Sequence, residues 1–249
     1  MNIKESTIFL TGASGSIGKE LALLCSKSAA KIALFARREE LLKELADEIN
    51  GNYSVEVFVY PCDVSSKDSV DLAFSEAVRE CGVPDILIAN AGIGKNFSVK
   101  KFNSHVIEEI YKTNVFGMMY CIEAVLPHMI KKRRGHIVGI SSLAAYRSFP
   151  RNHSYCASKS AVSAHLEGLR SELYAYGIQV STICPGFIKT PMTENNRFSM
   201  PFLMEAQEAA QKIVGAIERD KKVFNFPWQT WMMAKMAGML PDHLMTKMS

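Results

Sequence analysis

Missing from this sequence are the usual marks of a metal, disulfide or membrane protein. Its six cysteines, Cys25, Cys62, Cys81, Cys121, Cys156 and Cys184, are scattered without a C-x-x-C pair, and no histidines stand at metal-ligand spacing. Such cysteines read as small buried residues in a reducing compartment. No apolar run approaches the ~18 residues that would suggest a spanning helix. The opening "MNIKESTIFLTGAS" is too short in its apolar part for a signal peptide and suits a first strand. A soluble, cytoplasmic protein is the expectation. Internal repeats and low-complexity linkers are also lacking, so residues 1–249 are expected to form a single domain with a helical segment at about 228–245.

What is present is a large apolar fraction, 48%, and a modest net charge of +4. The basic residues are spread along the chain. The short cluster from Lys131 to Arg134 suits a solvated helix end, where cations meet the C-terminal dipole, better than a nucleic-acid surface.

Strand and helix signals alternate from the start, as they do in an α/β protein with a parallel sheet covered on both faces. "TIFL" (Thr7 to Leu10) runs into "TGASGSIG" and then a helix whose Ile17, Leu21, Leu24 and Cys25 make one stripe. Gly12, Gly15 and Gly18, with Ser14, Ser16 and Ile17 between them, would let the backbone approach a pyrophosphate. The helix N-terminus would supply free N–H groups. After the second strand, "KIALFA" (Lys31 to Ala36), the acidic residue expected beside an NAD ribose is absent; Arg37 and Arg38 stand there. Guanidinium forks match a 2′-phosphate, so NADP(H) is expected over NAD(H). The alternative is a basic first turn of the next helix, which the helix dipole disfavours.

A third strand, "VEVFVYPCDV", brings Asp63, with Val64, to a position where the carboxylate could accept from an adenine amino group or cap the next helix. A fourth, "PDILIANAG", ends in Asn90, Ala91 and Gly92, small enough for a cofactor to pass. A long helical stretch from Ser104 to Ile130 carries Asn114 and Gly117, both poor helix formers. Either the helix breaks locally at a buried, water-holding Asn114, or that asparagine is simply exposed.

The chemistry concentrates in one stretch. Ser142 closes the fifth strand, "GHIVGISS", Tyr155 follows thirteen residues later and Lys159 four after that. Residues four apart share a helix face, which would hold a cation beside a phenol. An ammonium ~4 Å away at an effective dielectric of ~20 contributes ~4 kcal/mol, about three pKa units at most, enough to bring a phenol of ~10 toward neutrality. Tyr155 would then exchange a proton in a cleft that the Ser142 hydroxyl also faces. The plainer alternative is one packed ring and one solvated amine.

Beyond a sixth strand, "IQVSTICPG", stopped at Pro185 and Gly186, comes "FIKTPMTENNRFSMPFLM". This is expected to be a lid, with Ile188 to Thr190 toward the cofactor. Met192, Phe198, Phe202 and Leu203, with Phe149, would form an apolar substrate wall. A helix at about Glu205 to Arg219 and a seventh strand, "KVFNFP", lead to "WQTWMMAKMAGMLPDHLM". There Trp228, Trp231, Met232, Met236, Met239 and Leu240 repeat at helical spacing, with Met233, Ala234 and Ala237 opposite. A helix so apolar all round must cover something: a subunit interface, a substrate pocket or a membrane surface.

Together "TGASGSIG", "NAG", Asn114, Ser142, "YCASK" and "PG" resemble the short-chain dehydrogenase/reductase family from about Thr7 to Thr190. The resemblance implies a Rossmann-like doubly wound, seven-stranded parallel sheet in three α/β/α layers. It also implies a nicotinamide cofactor, a homodimer or homotetramer, and a catalytic set of Asn114, Ser142, Tyr155 and Lys159. Ser142 would bind the carbonyl oxygen, Tyr155 would give or take the proton, and Lys159 would tune the phenol and bind the nicotinamide ribose. Asn114 would hold a water. One departure stands out, Ser16 replacing the middle glycine of T-G-x-x-x-G-x-G and Gly15 preceding it, a spacing nearer that of the longer branch of sugar epimerases. Length and the intact "NAG" favour the short branch. The function expected is carbonyl–alcohol interconversion on a mainly apolar small molecule. The alternatives are an NADP(H)-binding sensor or scaffold without turnover, and a lipid or steroid dehydrogenase at a membrane surface.

Overall fold

The computed structural model describes residues 3–194 and 199–238. Seven parallel strands, β1 (Thr7–Thr11), β2 (Lys31–Ala36), β3 (Glu56–Pro61), β4 (Ile86–Ala89), β5 (Gly135–Ile140), β6 (Ile178–Pro185) and β7 (Val223–Phe226), lie in the order β3-β2-β1-β4-β5-β6-β7. The chain winds outward from β1 to β3 and then crosses to β4 on the other side of β1. That reversal opens a crevice at the carboxyl ends of β1 and β4, where ligands of open α/β sheets bind.

Strand residues alternate between two cores. Ile8, Leu10, Ile32, Leu34, Ile86 and Ile88 pack under α1 (Ser16–Cys25), α2 (Glu39–Asn52) and α8 (Ala206–Glu218). Phe9, Phe35, Leu87 and Ile137 face α3 (Lys67–Cys81), α5 (Gly117–Lys132) and α6 (His153–Leu173). This two-sided burial is why the strands read as continuous apolar runs. On the second face Phe35 stacks on Phe74 with ring centroids 4.4 Å apart.

The long helical stretch is interrupted as one of the two sequence readings has it. α4 (Ser104–Tyr111) passes through a π turn, Lys112–Phe116, into α5, and Asn114 in that turn is fully buried. The exposed-asparagine alternative is thereby corrected. Asp63 does not cap α3 either: its carboxylate accepts from Ser65 N and Oγ, and Ser66 is the N-cap. At the end of α5, Lys132 Nζ and Arg134 Nε lie 3.0 and 3.7 Å from Asp85 Oδ1.

The last helix is α9 (Trp228–Gly238). It buries Thr230, Ala234 and Ala237 and leaves Trp228, Met232, Met233 and Met236 exposed. Small residues let α9 sit close to the end of β7 and the turn at 143–145, so the large side chains point outward. Met239 and Leu240 lie outside the described residues.

Candidate active site

The glycine turn is shaped by contact. Gly12 has φ +67, and a Cβ there would stand 2.9 Å from Ala91 Cα; one on Gly18 would stand 2.0 Å from Gly12 O. Gly15 is freer, its nearest such contact being 3.4 Å, and it serves as the extended N-cap of α1 without a side-chain bond. The Ser16 departure therefore falls where the backbone does not require glycine. The uncapped start of α1 beside this cradle suits a pyrophosphate, so the residues present fit a dinucleotide.

Asn90 closes the crevice from the β4 side, its Nδ2 donating to Thr11 O and Gly12 O at 3.1 and 3.3 Å. Asn90 N and Ala91 N both donate to Thr11 Oγ1 at 3.1 Å. From the β2 side Arg38 Nη2 donates to Ser14 O at 2.7 Å and Ser14 Oγ at 3.2 Å, and Arg37 is exposed beside it. Asp63 is half-buried and Val64 buried past the end of β3.

Asn114, Ser142, Tyr155 and Lys159 converge across the ends of β4 and β5. Asn114 Oδ1 accepts from Ile93 N at 2.8 Å, while its Nδ2 donates to Ile93 O at 2.9 Å and Ser158 Oγ at 3.0 Å. Both amide protons are used, which leaves one Oδ1 lone pair without a partner from Ile93 or Ser158. A Cβ on Gly92 would lie 3.3 Å from Asn114 Oδ1 and 3.4 Å from Lys159 Nζ, so this backbone passes close to both side chains. Ser142 caps the short turn Leu143–Ala145, accepting from Ala144 N at 3.1 Å, and its hydroxyl hydrogen-bonds the Tyr155 phenol.

The electrostatics differ from the sequence expectation. Burial pushes the Tyr155 phenol up to about 12, against a smaller lowering by the Ser142 hydrogen bond. Burial also pulls buried Lys159 down to about 8. Its ammonium donates to Ile140 O at 2.8 Å and stands 5.9 Å from the Tyr155 ring centroid. In this arrangement loss of hydration, rather than a neighbouring cation, sets the direction of the phenol's shift.

The segment after β6 is tied down at its start. Buried Ile188 bridges Met204, and Lys189 N and Met204 N donate to Met204 O and Phe187 O at 2.9 and 3.0 Å. Thr193 Oγ1 accepts from Thr190 N and donates to Ile188 O. Gly186 N donates to Phe226 O at 2.7 Å and Pro185 is buried at the end of β6. Of the expected wall, Met192 in α7 (Pro191–Glu194) is brought to Tyr155: a Cβ on Gly94 would meet Met192 Sδ at 3.1 Å and Tyr155 Cδ2 at 3.5 Å. Phe202, at φ 58, is half exposed, Phe149 is half-buried, and Phe198 lies outside the described residues.

Sequence reasoning missed an aromatic group on the rim. Phe97 and Phe102 pack on His153, with centroids 5.0 and 6.2 Å away, at the first turn of the Tyr155 helix. It also missed Ser141, whose Oγ donates to Lys159 O at 3.0 Å, and Ser158. The position of Ser158 inside "YCASK" was the available signal for the latter.

The description short chain dehydrogenase belongs to the family profile that matches residues 6–200. An uncharacterized oxidoreductase of Myxococcus xanthus is 36% identical over 238 residues, covering 96% of this chain and 94% of that protein. Dehydrogenase/reductase SDR family member 7B of Danio rerio is 34% identical over 199 residues, 78% of this chain and 64% of that one. Among solved structures, a short-chain dehydrogenase from Sphingobium yanoikuyae in complex with NADPH superposes with TM-score 0.82 at 25% identity, covering 94% and 95% of the two chains. A 3-oxoacyl-[acyl-carrier protein] reductase from Brucella melitensis with bound NAD does so with TM-score 0.79 at 26% identity, covering 90% of each. Matching profile, relatives and sheet topology agree: this chain belongs to the short-chain dehydrogenase/reductase family.

Proposed function

We propose that the protein is an NADP(H)-dependent oxidoreductase interconverting a ketone and a secondary alcohol on a mainly apolar small molecule. The observation that carries the reading is the convergence of Ser142, Tyr155 and Lys159 around one pocket beside the glycine cradle. When bound, the dinucleotide would supply or accept the hydride. Ser142 Oγ would hold the substrate oxygen, and Tyr155 would donate its proton there. A phenol kept protonated at neutral pH is the donor that reduction needs. Lys159, held on Ile140 O, would bind the nicotinamide ribose, and Asn114 would hold a water through its remaining lone pair.

Preference for the 2′-phosphate rests on Arg37 and on Arg38, whose guanidinium leans over Ser14 in the glycine turn. Solved relatives with NADPH and with NAD stand on either side of this choice, so the arginines carry it. Fluorescence titration with NADPH and NADH tests it: much tighter NADPH binding is expected, and equal affinity refutes the assignment. Six free, buried cysteines support a reducing, cytoplasmic setting. Family membership supports a homodimer or homotetramer, which sedimentation would measure.

Exposed Trp228, Met232, Met233 and Met236 favour a second reading, in which the same site serves a lipid or steroid at a membrane surface. Liposome flotation of the full chain against a Trp228→Ser, Met236→Ser variant tests it. Failure of the wild type to float removes that reading.

A further inference from the structure

Ser158 has no place in the chemistry above, yet it is fully buried between three of the residues that do. It lies one turn beyond Tyr155 on α6 and immediately before Lys159. Its hydroxyl donates to Tyr155 O at 2.7 Å, the usual satisfaction of a helical serine on its own backbone. Because that proton is committed, the Ser158 oxygen meets its other partner only as an acceptor. That partner is Asn114 Nδ2, at 3.0 Å from the π turn across 44 residues of sequence.

The consequence concerns the asparagine. A side-chain amide can rotate by half a turn and exchange oxygen for nitrogen, and only its partners decide which way it points. Ile93 supplies one N–H and one C=O, and Ser158 adds an acceptor on the nitrogen side. Rotation would bring Asn114 Oδ1 against the lone pairs of Ser158 and turn an N–H toward the N–H of Ile93. The same bond ties the π turn to the turn of α6 that carries Tyr155. On the opposite flank Ser141 Oγ ties Lys159 O to the end of β5.

We propose that Ser158 is a positioning residue: it fixes the orientation of the Asn114 amide and the spacing between the π turn and the Tyr155–Lys159 turn. This rests on the oxidoreductase reading, in which Asn114, Tyr155 and Lys159 act together. Small displacements originating outside the reacting atoms can cost up to ~10²-fold in rate, so loss of this hydroxyl lowers kcat by about tenfold or more while cofactor binding stays intact.

Thr and Val have the same shape and differ by the hydroxyl, so Ser158→Thr and Ser158→Val separate the bond from packing even if Ser158→Ala folds poorly. kcat is measured on the ketone that the wild type reduces fastest in a panel, with NADPH affinity by fluorescence. The expected result is a Thr variant at least tenfold faster than the Val variant, with NADPH affinity equal within twofold. In an Asn114→Ala background that ratio falls to about one, because the partner is gone. Equal kcat for Thr and Val, or an equal ratio in both backgrounds, overturns the proposal, as does a parallel loss of NADPH binding. Tyr155→Phe is run alongside. Retained turnover there overturns the oxidoreductase reading instead, and the two failures are told apart.

Discussion

Lowering the pH from 7.5 to 5 charges this protein's histidines once unfolded, while one of them is held neutral by the fold. His136 is fully buried in β5, with Nε2 2.8 Å from Ser181 Oγ. Ser181 Oγ donates its own proton to Lys221 O at 2.7 Å, so Nε2 must carry the hydrogen of that contact. Nδ1 is then the bare nitrogen, and it has no partner among the described residues. A proton added there has no acceptor, and burial pulls His136 from 6.5 down to about 4, against a smaller opposing pull from Asp220. Since the folded value lies below the unfolded one, this stabilisation is complete above about pH 6.5 and is lost as pH falls toward 4. Linkage over that gap amounts to ~3 kcal/mol in all, of which ~2 kcal/mol is gone by pH 5. Against typical domain stabilities of ~5–15 kcal/mol the loss is large. Urea unfolding of wild type and His136→Gln, which keeps a donor for Ser181 and does not titrate, isolates it. The difference in unfolding free energy between the two should shift by ~2 kcal/mol in favour of the variant from pH 7.5 to 5. Parallel pH profiles would refute the assignment of His136 as a buried neutral imidazole.

Other perturbations address the site. Tyr155→Phe should lower kcat by at least ~10²-fold with NADPH affinity preserved, since a general acid contributes on that scale; retention of most turnover would remove the phenol from the chemistry. Gly18→Ala should abolish tight cofactor binding in the same titration and destabilise the fold by ~1–3 kcal/mol, because the new Cβ would lie 2.0 Å from Gly12 O; Gly15→Ala, with 3.4 Å of room, should be mild. Replacing Arg37 and Arg38 together by Ser should weaken NADPH about tenfold or more and leave NADH nearly unchanged. Equal losses for both cofactors would mean that Arg38 serves the glycine turn rather than the phosphate.

Much of this molecule is written locally. β2 falls on Lys31–Ala36 as its apolar run predicts, and α6 carries Tyr155 and Lys159 on one helix. Burial on both faces makes each strand a visible apolar run, and Gly12 and Gly18 are required by contacts within their own turn and the neighbouring strand end. The position of Arg37 and Arg38 just past β2 is legible for the same reason.

What could not be read depends on partners far away in sequence. The spacing of Tyr155 and Lys159 indicates a shared face, but their proton affinities follow from burial, and the Lys159 ammonium turns to Ile140 O. The facing of α9 could not be read, because hydrophobic periodicity does not say whether large or small residues meet the neighbour; close approach to β7 buries Ala234 and Ala237. Asn114 and Ser158 are 44 residues apart, and no local pattern pairs them. The sequence by itself determined the strand and helix order, the glycine turn and the Ser, Tyr and Lys set, because backbone geometry and side-chain period are local. The tertiary structure alone decided hydration, proton affinity and which polar atoms meet, because those are set by whatever the fold places within hydrogen-bonding reach.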